Sequence, residues 1–160
     1  MTQSSTFVTR APAPRLPRLL ALPLGLIPEG FHSRGLALVL DRIFAPAQAA
    51  GELDFLVGKT FGVRVEDARL SYHLRFDGQG FRTAQGGPAA DTEFSGNLYE
   101  LLLMATGRED ADTLFFQRRL RMRGDTELGL AMKNFLDARE TPLLPKPLAS
   151  PLIAILERIG

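Results

Sequence analysis

The stretch that decides the fold is residues 110–136, DADTLFFQRRLRMRGDTELGLAMKNFL. Its middle, Arg118 to Arg123, alternates apolar and basic side chains with the period of two that is typical of a half-buried strand. Gly124 ends this strand. Asp125 then predicts a helix start, because an Asp side chain accepts hydrogen bonds from the free N–H groups of a first turn. The apolar stripe of that helix consists of Leu128, Met132, Phe135 and Leu136.

Two shorter helices are predicted before this strand. Asp112 is placed to cap a short helical turn. Asn97, with Glu100 three residues later, predicts a capping box at the start of a helix over 98–106. Gly107 occupies the position after its end, where a left-handed residue is common.

The chain from Phe61 to Ser95 has the alternation of strands. Apolar side chains occupy every second position in 61–66 and again in 70–76. Residues 77–80, Asp-Gly-Gln-Gly, predict a turn into a returning arm over 81–85. Residues 90–95 complete a fourth short strand.

Helices are predicted at both ends of this core. Ser33 is available to cap a first helix that should end before Pro46 or by Gly51. Its apolar residues at helical spacing are Leu36, Val39, Leu40, Ile43 and Phe44. Ser150 and Pro151 predict the start of a last amphipathic helix. Its apolar side is expected to consist of Leu152, Ile155, Leu156 and Ile159.

The order of elements predicts an α+β fold, with a mainly antiparallel sheet that carries helices on one face. Three regions are expected. Residues 1–32 are a basic, apolar leader, disordered at its start, and residues 33–140 form the globular domain. Residues 141–160 are a proline-rich linker followed by the last helix.

Composition excludes several classes of function. A net charge of +1 argues against nucleic acid as a partner, because binding to phosphates needs an excess of Lys and Arg. The chain has no Cys, which excludes disulfides and thiolate chemistry. No nucleophile elbow, phosphate loop or dinucleotide fingerprint is present. His32 and His73 fall at predicted surface positions. We therefore expect no enzyme activity, no metal site and no cofactor.

The leader is basic and apolar. Met1 to Gly35 contains four Arg against the single acid Glu29, which indicates an anionic membrane surface. The apolar run from Leu19 to Ile27 is about half of the ~20 residues that span a bilayer. The residues expected at the membrane are Arg15, Arg18, Leu19, Leu20 and Leu24, together with 152–159. The alternative is that both segments pack on the domain or on a second subunit in a homodimer.

Residues 110–120 and 124–130, followed by Lys133 and Asn134, also carry a resemblance. They resemble the C-terminal half of the type-two sterol carrier family. More narrowly, they resemble its bacterial members that are accessory factors of oxygen-independent ubiquinone biosynthesis. Residues 51–56 and 90–95 match the layout of that family, and the similarity extends over 33–140.

The resemblance implies a five-stranded sheet whose helices enclose an apolar tunnel, without catalysis. It implies that the protein holds isoprenoid quinone intermediates and presents them to the ring hydroxylase subunits that work without oxygen. It also implies contact with acidic phospholipids, in the cytoplasm or at the inner face of the cytoplasmic membrane. The alternatives are a general phospholipid or fatty-acyl carrier and a membrane-associated interaction module.

Candidate ligand-binding side chains follow from the apolar patterns. We expect a cavity to be lined from Leu101, Leu102, Met104, Phe115, Phe116, Leu120, Met122, Leu128, Met132, Phe135 and Leu136. Residues at helical spacing also form ordinary core, so some of these are expected only to pack. Arg118 shares the predicted strand face of Leu120, which favours a place at the cavity mouth near a ligand head group. Its alternative is a solvent-exposed strand end.

Overall fold

A computed structural model of the chain describes residues 14–15, 29–84 and 89–159. The described part contains five strands and five α-helices. In chain order they are α1 (Glu29–Ala49), β1 (Thr60–Val65), β2 (Leu70–Phe76), β3 (Phe81–Thr83), β4 (Thr92–Gly96), α2 (Leu98–Ala105), α3 (Ala111–Phe116), β5 (Leu120–Gly124), α4 (Thr126–Asp137) and α5 (Lys146–Ile159). A 3-10 turn at Asp54–Leu56 links α1 to β1.

The strands form one sheet in the order β3-β2-β1-β4-β5. The β1–β2, β2–β3 and β4–β5 pairs are antiparallel, while β1 and β4 are parallel. The prediction of an α+β fold with a mainly antiparallel, five-stranded sheet is confirmed. The parallel pair at its centre was not predicted, because alternation within a strand carries no information about which strand becomes its neighbour.

The two faces of the sheet differ in polarity. Phe61, Leu74 and Phe94 point to the face that the helices cover, and they are buried. The opposite face carries charges, with the Nε atom of Arg64 placed 3.1 Å from Oε1 of Glu93. This is the pattern of an antiparallel sheet that has one face in the core and one in water.

The helix α1 begins earlier than predicted, and it ends at Ala49, within the predicted limit of Gly51. It begins at Glu29, so Ser33 lies inside the helix, where it is fully buried, and is not its N-cap. Residue 32, the predicted end of the leader, also falls within α1. Pro46 does not end the helix, which continues to Ala49. Proline lacks an N–H donor, but the carbonyl of Pro46 still accepts a hydrogen bond from the N–H of Ala50 at 3.1 Å.

The capping box predicted for α2 is wrong. Asn97 occupies the N-cap position without a side-chain cap bond. Asp67, in the turn between β1 and β2, accepts the Leu98 N–H instead, at 2.9 Å. Glu100 is buried and paired with Arg119. Gly107 does adopt the left-handed conformation after the helix, with φ +66°.

Asp110, and not Asp112, caps α3. Its carboxylate accepts the N–H of Thr113 at 2.7 Å and the hydroxyl of Thr113 at 2.8 Å. These bonds, the backbone one foremost, lower the pKa of Asp110 because they stabilise the charged form. Asp112 points to α4, where its Oδ1 atom lies 2.8 Å from Nζ of Lys133.

The helix α4 lies directly on β5. Asp125 caps it as predicted, accepting the Leu128 N–H at 3.0 Å. The predicted stripe faces the core. A Cβ at Gly129 would lie 1.9 Å from Sδ of Met122. A side chain at position 129 would therefore require Met122 to move, and glycine lets α4 lie this close to β5 without such a shift.

The apolar side predicted for α5 is partly wrong. The buried residues are Ala149, Ile153 and Leu156, whereas Leu152 and Ile155 are 38% and 47% exposed. Leu148 is also exposed, and the Ile159 side chain lies outside the described part. The apolar arc of α5 is wider than its contact with the domain, so part of the arc faces outward.

The close approach at Gly129 predicts an unusual response to a Gly-to-Ala change. Gly129→Ala should destabilise the protein by about 1–3 kcal/mol through overpacking against Met122. Gly35→Ala is the matched control, because nothing lies within 4 Å of its added Cβ in α1. It should stabilise by about 0.5–1 kcal/mol. Urea unfolding of both variants measures the difference, and an unchanged midpoint for Gly129→Ala would contradict the packing.

Candidate functional site

An apolar cavity of ≈ 280 Å³ lies between the covered face of the sheet and the helices. Its wall is apolar throughout. The lining residues are Leu36, Val39, Leu40, Ile43, Phe44, Leu53, Leu56, Phe61, Val63, Val65, Tyr72, Phe81, Phe94, Leu98, Leu101, Leu102, Met104, Ala105, Met132, Phe135, Leu136, Leu143 and Leu144. Such a cavity has no group that could hold an ion or activate a nucleophile, and it suits a hydrocarbon chain.

The structure brings six of the eleven predicted cavity residues to this wall. They are Leu101, Leu102, Met104, Met132, Phe135 and Leu136. Whether these side chains contact a ligand stays a prediction.

Five predicted residues do not line the cavity. Leu120 and Leu128 are buried, as ordinary core residues. Phe115 packs on Phe94 with ring centres 5.9 Å apart, and Met122 lies against Gly129. Phe116 is 82% exposed. Its placement in the cavity was wrong because α3 is only six residues long and turns one of its two adjacent Phe rings to solvent.

Sequence reasoning missed one whole wall of the cavity. Leu36, Val39, Leu40 and Ile43 of α1 line it, together with sheet residues such as Val63 and Tyr72. Helical spacing identified the α1 residues as an apolar face. Periodicity alone could not show that this face borders an empty space instead of packed core.

Arg118 is not at the mouth of this cavity. β5 begins two residues later, and Arg118 lies in the preceding turn with φ +58°, exposed to solvent. It lines a different, polar cleft of ≈ 260 Å³, where Arg15 and Arg121 also lie. The predicted inward orientation of Arg118 is wrong because Arg118 precedes β5 and does not lie within it. Arg18, Leu19, Leu20 and Leu24 lie outside the described residues.

The neighbouring Arg119 holds a wall of the cavity in place. Nη2 of Arg119 lies 2.5 Å from Oε2 of Glu100, which is 2% exposed, and Nη1 also pairs with Glu109. Burial acts to lower the pKa of Arg119, but the bonds to the two carboxylates outweigh it and raise the pKa. Since Glu100 lies on α2, this buried pair ties the helix that supplies Leu101 and Leu102 to the start of β5.

A second chamber adjoins the apolar cavity. It has a volume of ≈ 290 Å³ and shares Met104, Leu136 and Leu143 with the cavity wall. The rest of its lining is mainly polar and includes Arg139 and Lys146. The guanidinium carbon of Arg139 lies 4.9 Å from the ring centre of Phe44.

An exposed apolar stripe runs along α5. Leu148, Leu152 and Ile155 are spaced at four and three residues, so they lie on one side of the helix. None of the helices in the described ranges is long and apolar enough to cross a membrane.

Comparisons with known proteins agree with this geometry. The model of the SCP-2 sterol transfer family matches residues 37–137. The protein named "Ubiquinone biosynthesis accessory factor UbiT" of Escherichia coli (strain K12) is 38% identical over 141 residues, which cover 88% of this chain and 80% of that protein. A solved structure, "UbiJ-SCP2 Ubiquinone synthesis protein", superposes with a TM-score of 0.55 at 18% identity. That match covers 67% of this chain and 94% of the other.

The cavity predicts a clear contrast between two variants. Leu101→Trp should fill the space and weaken binding of a fluorescent fatty acid by about tenfold, which corresponds to ~1.4 kcal/mol. Phe116→Ser should leave binding unchanged, since Phe116 is outside the cavity. Fluorescence titration measures both, and circular dichroism checks that they fold. Equal loss in both variants would contradict the assignment of the wall.

Proposed function

We propose that this chain, which belongs to the SCP-2 sterol transfer family, is a non-enzymatic lipid-binding accessory factor of ubiquinone biosynthesis. The observation that carries the proposal is the cavity between sheet and helices, whose wall is apolar throughout. The relative named as a ubiquinone biosynthesis accessory factor supports the choice of pathway.

The cavity suits the tail of a prenylated ring. Burying each CH₂ gains about 0.8 kcal/mol, so a prenyl chain in an apolar wall binds without any polar contact. The volume of ≈ 280 Å³ is close to the lower end of the about 300–1,000 Å³ that is typical of small-molecule sites. A long tail therefore enters only in part. Met104 and Met132 in the wall allow it to adapt to an irregular chain.

The proposed role is to hold isoprenoid quinone precursors and to present them to the ring-modifying enzymes of the oxygen-independent pathway. A ligand whose tail is buried keeps its ring near the surface, where a second protein can reach it. The chain itself supplies shelter from water, and the partner enzymes supply the chemistry.

The exposed stripe of α5 supports docking at a membrane surface that contains acidic phospholipids. Leu148, Leu152 and Ile155 offer apolar area, and Lys146 and Arg158 lie at the two ends of the same helix. An amphipathic helix of this kind inserts its apolar side between head groups and places its cations beside anionic lipids. The protein would collect its ligand at the surface where prenylated lipids reside.

Identification of the bound lipid tests the proposal. Native mass spectrometry of the purified protein, followed by extraction, should find a prenylated benzoquinone precursor that is lost in Leu101→Trp and kept in Phe116→Ser. A phospholipid or fatty acid alone would favour the alternative, a general acyl carrier with the same fold. A protein that is empty and does not bind added precursor would contradict ligand binding altogether.

Vesicle binding tests the docking surface. Replacing Leu148, Leu152 and Ile155 with Ser should reduce sedimentation with vesicles that contain phosphatidylglycerol by about tenfold or more, because three apolar side chains no longer enter the interface. Leu130→Ser is the matched control, since Leu130 is similarly exposed on α4. Unchanged sedimentation of the triple variant would exclude α5. A variant that lacks residues 1–29 separates the leader from α5 in the same assay.

A further inference from the structure

Arg139 occupies an unusual position between the two adjoining chambers. It follows α4, and its guanidinium carbon lies 4.9 Å from the ring centre of Phe44 and 5.7 Å from that of Phe135. Both rings also line the apolar cavity. Stacking on two aromatic rings fixes a guanidinium group without using its in-plane N–H donors.

The donors of Arg139 are not all used by the protein. Its Nε atom is buried and has no hydrogen-bond partner among the described residues. Among the residues that the structure describes, no carboxylate is close enough to form an ion pair with Arg139. A buried donor without an acceptor is costly, because it has lost its bond to water and gained nothing in exchange. A ligand that brings an acceptor to this point would recover that cost.

The chamber beside Arg139 lies directly next to the apolar cavity. Met104, Leu136 and Leu143 line both spaces, so a molecule that fills the cavity with its tail and extends past these side chains would place its other end in this chamber. The volume of ≈ 290 Å³ is enough for a substituted ring. Arg139 therefore lies where the polar end of such a molecule would be.

The charges of the chamber indicate which polar end fits. Its lining contains two cations, Arg139 and Lys146, but four carboxylates, Glu109, Asp110, Asp137 and Glu140. Some of these carboxylates have partners, as Asp137 has in Lys133 at 3.5 Å. An excess of acids still repels a phosphate or a fatty acid carboxylate at short range. A neutral oxygen meets no such repulsion and can accept from Arg139.

We propose that Arg139 and this chamber form the head-group site for a neutral, oxygen-bearing ring, a phenol or a quinone, whose prenyl tail lies in the apolar cavity. This assignment rests on the proposed function, in which the cavity binds the tail. It replaces Arg118, which the structure places in another cleft. The proposed head-group site would also distinguish prenylated rings from phospholipids and fatty acids in binding, because those lipids have an apolar tail but no neutral head.

Three ligands with the same tail test the head-group site. Geranylbenzene, 2-geranylphenol and geranyl phosphate differ only at the head, and their affinities follow from displacement of a fluorescent fatty acid. The wild-type protein should bind 2-geranylphenol about three- to tenfold more tightly than geranylbenzene, because the phenol gains one hydrogen bond. It should bind the phosphate more weakly than the phenol.

The variant Arg139→Met removes the donors and keeps an unbranched side chain that packs on aromatic rings. It should bind geranylbenzene as the wild type does and lose the preference for the phenol. Arg75→Met, on the exposed face of the sheet, is the matched control and should keep that preference. Thermal unfolding checks that both variants are folded. The comparison of the three ligands on the wild-type protein does not depend on either variant.

Three results would overturn the head-group site: equal binding of phenol and benzene by the wild type, a preference that survives in Arg139→Met, or tightest binding of the phosphate. Binding of geranylbenzene is the separate readout for the cavity: if it persists in these cases, the cavity keeps its role in binding the tail. If none of the three ligands displaces the dye, tail binding fails as well, and the proposed function fails with the head-group site.

Discussion

The structure depends on where the helices touch the sheet. They make close contact at its two edges and not above its centre. At one edge, Gly129 lets α4 rest on Met122 of β5. At the other, Asp41 of α1 accepts the Phe81 N–H of β3 at 2.6 Å. With both sides fixed in this way, the helices approach the central strand β1 less closely than the outer strands. The cavity, whose lining includes Val63 and Phe94, lies in that space.

Most of the fold could be predicted from local patterns. Alternation in β1, β2 and β5 and the stripe of α4 each gave an element close to its observed place, because those patterns reflect burial on one side. Three capping assignments failed. Ser33 lies inside a helix that begins four residues earlier, at Glu29, whereas Glu100 and Asp112 pair with distant cations. For Glu100 and Asp112, a contact between residues far apart in the chain overrides a local preference, and the sequence does not display it.

The site was harder to predict than the fold. Pattern identifies which residues face inward, but it does not distinguish packed core from the lining of a cavity, and so Leu120 and Leu128 were grouped with Leu101 and Met132. The environments of three arginines could not be predicted from the pattern either. Arg118 is exposed in a turn, Arg119 is buried between two carboxylates, and Arg139 lies on two aromatic rings. These three environments follow from the exact end of a strand and from tertiary contacts, which periodicity leaves undetermined.

The position of the cavity walls along the chain has a consequence for biosynthesis. The sheet residues that form the floor, and α1 and α2 above them, emerge from the ribosome before α4 and before Leu143 and Leu144. Domains generally fold as units, once the whole of their chain is available. The wall of the cavity is therefore complete only when the last quarter of the chain, with Leu143 and Leu144, has been made. A chain that stops before residue 143 would leave apolar wall residues open to water.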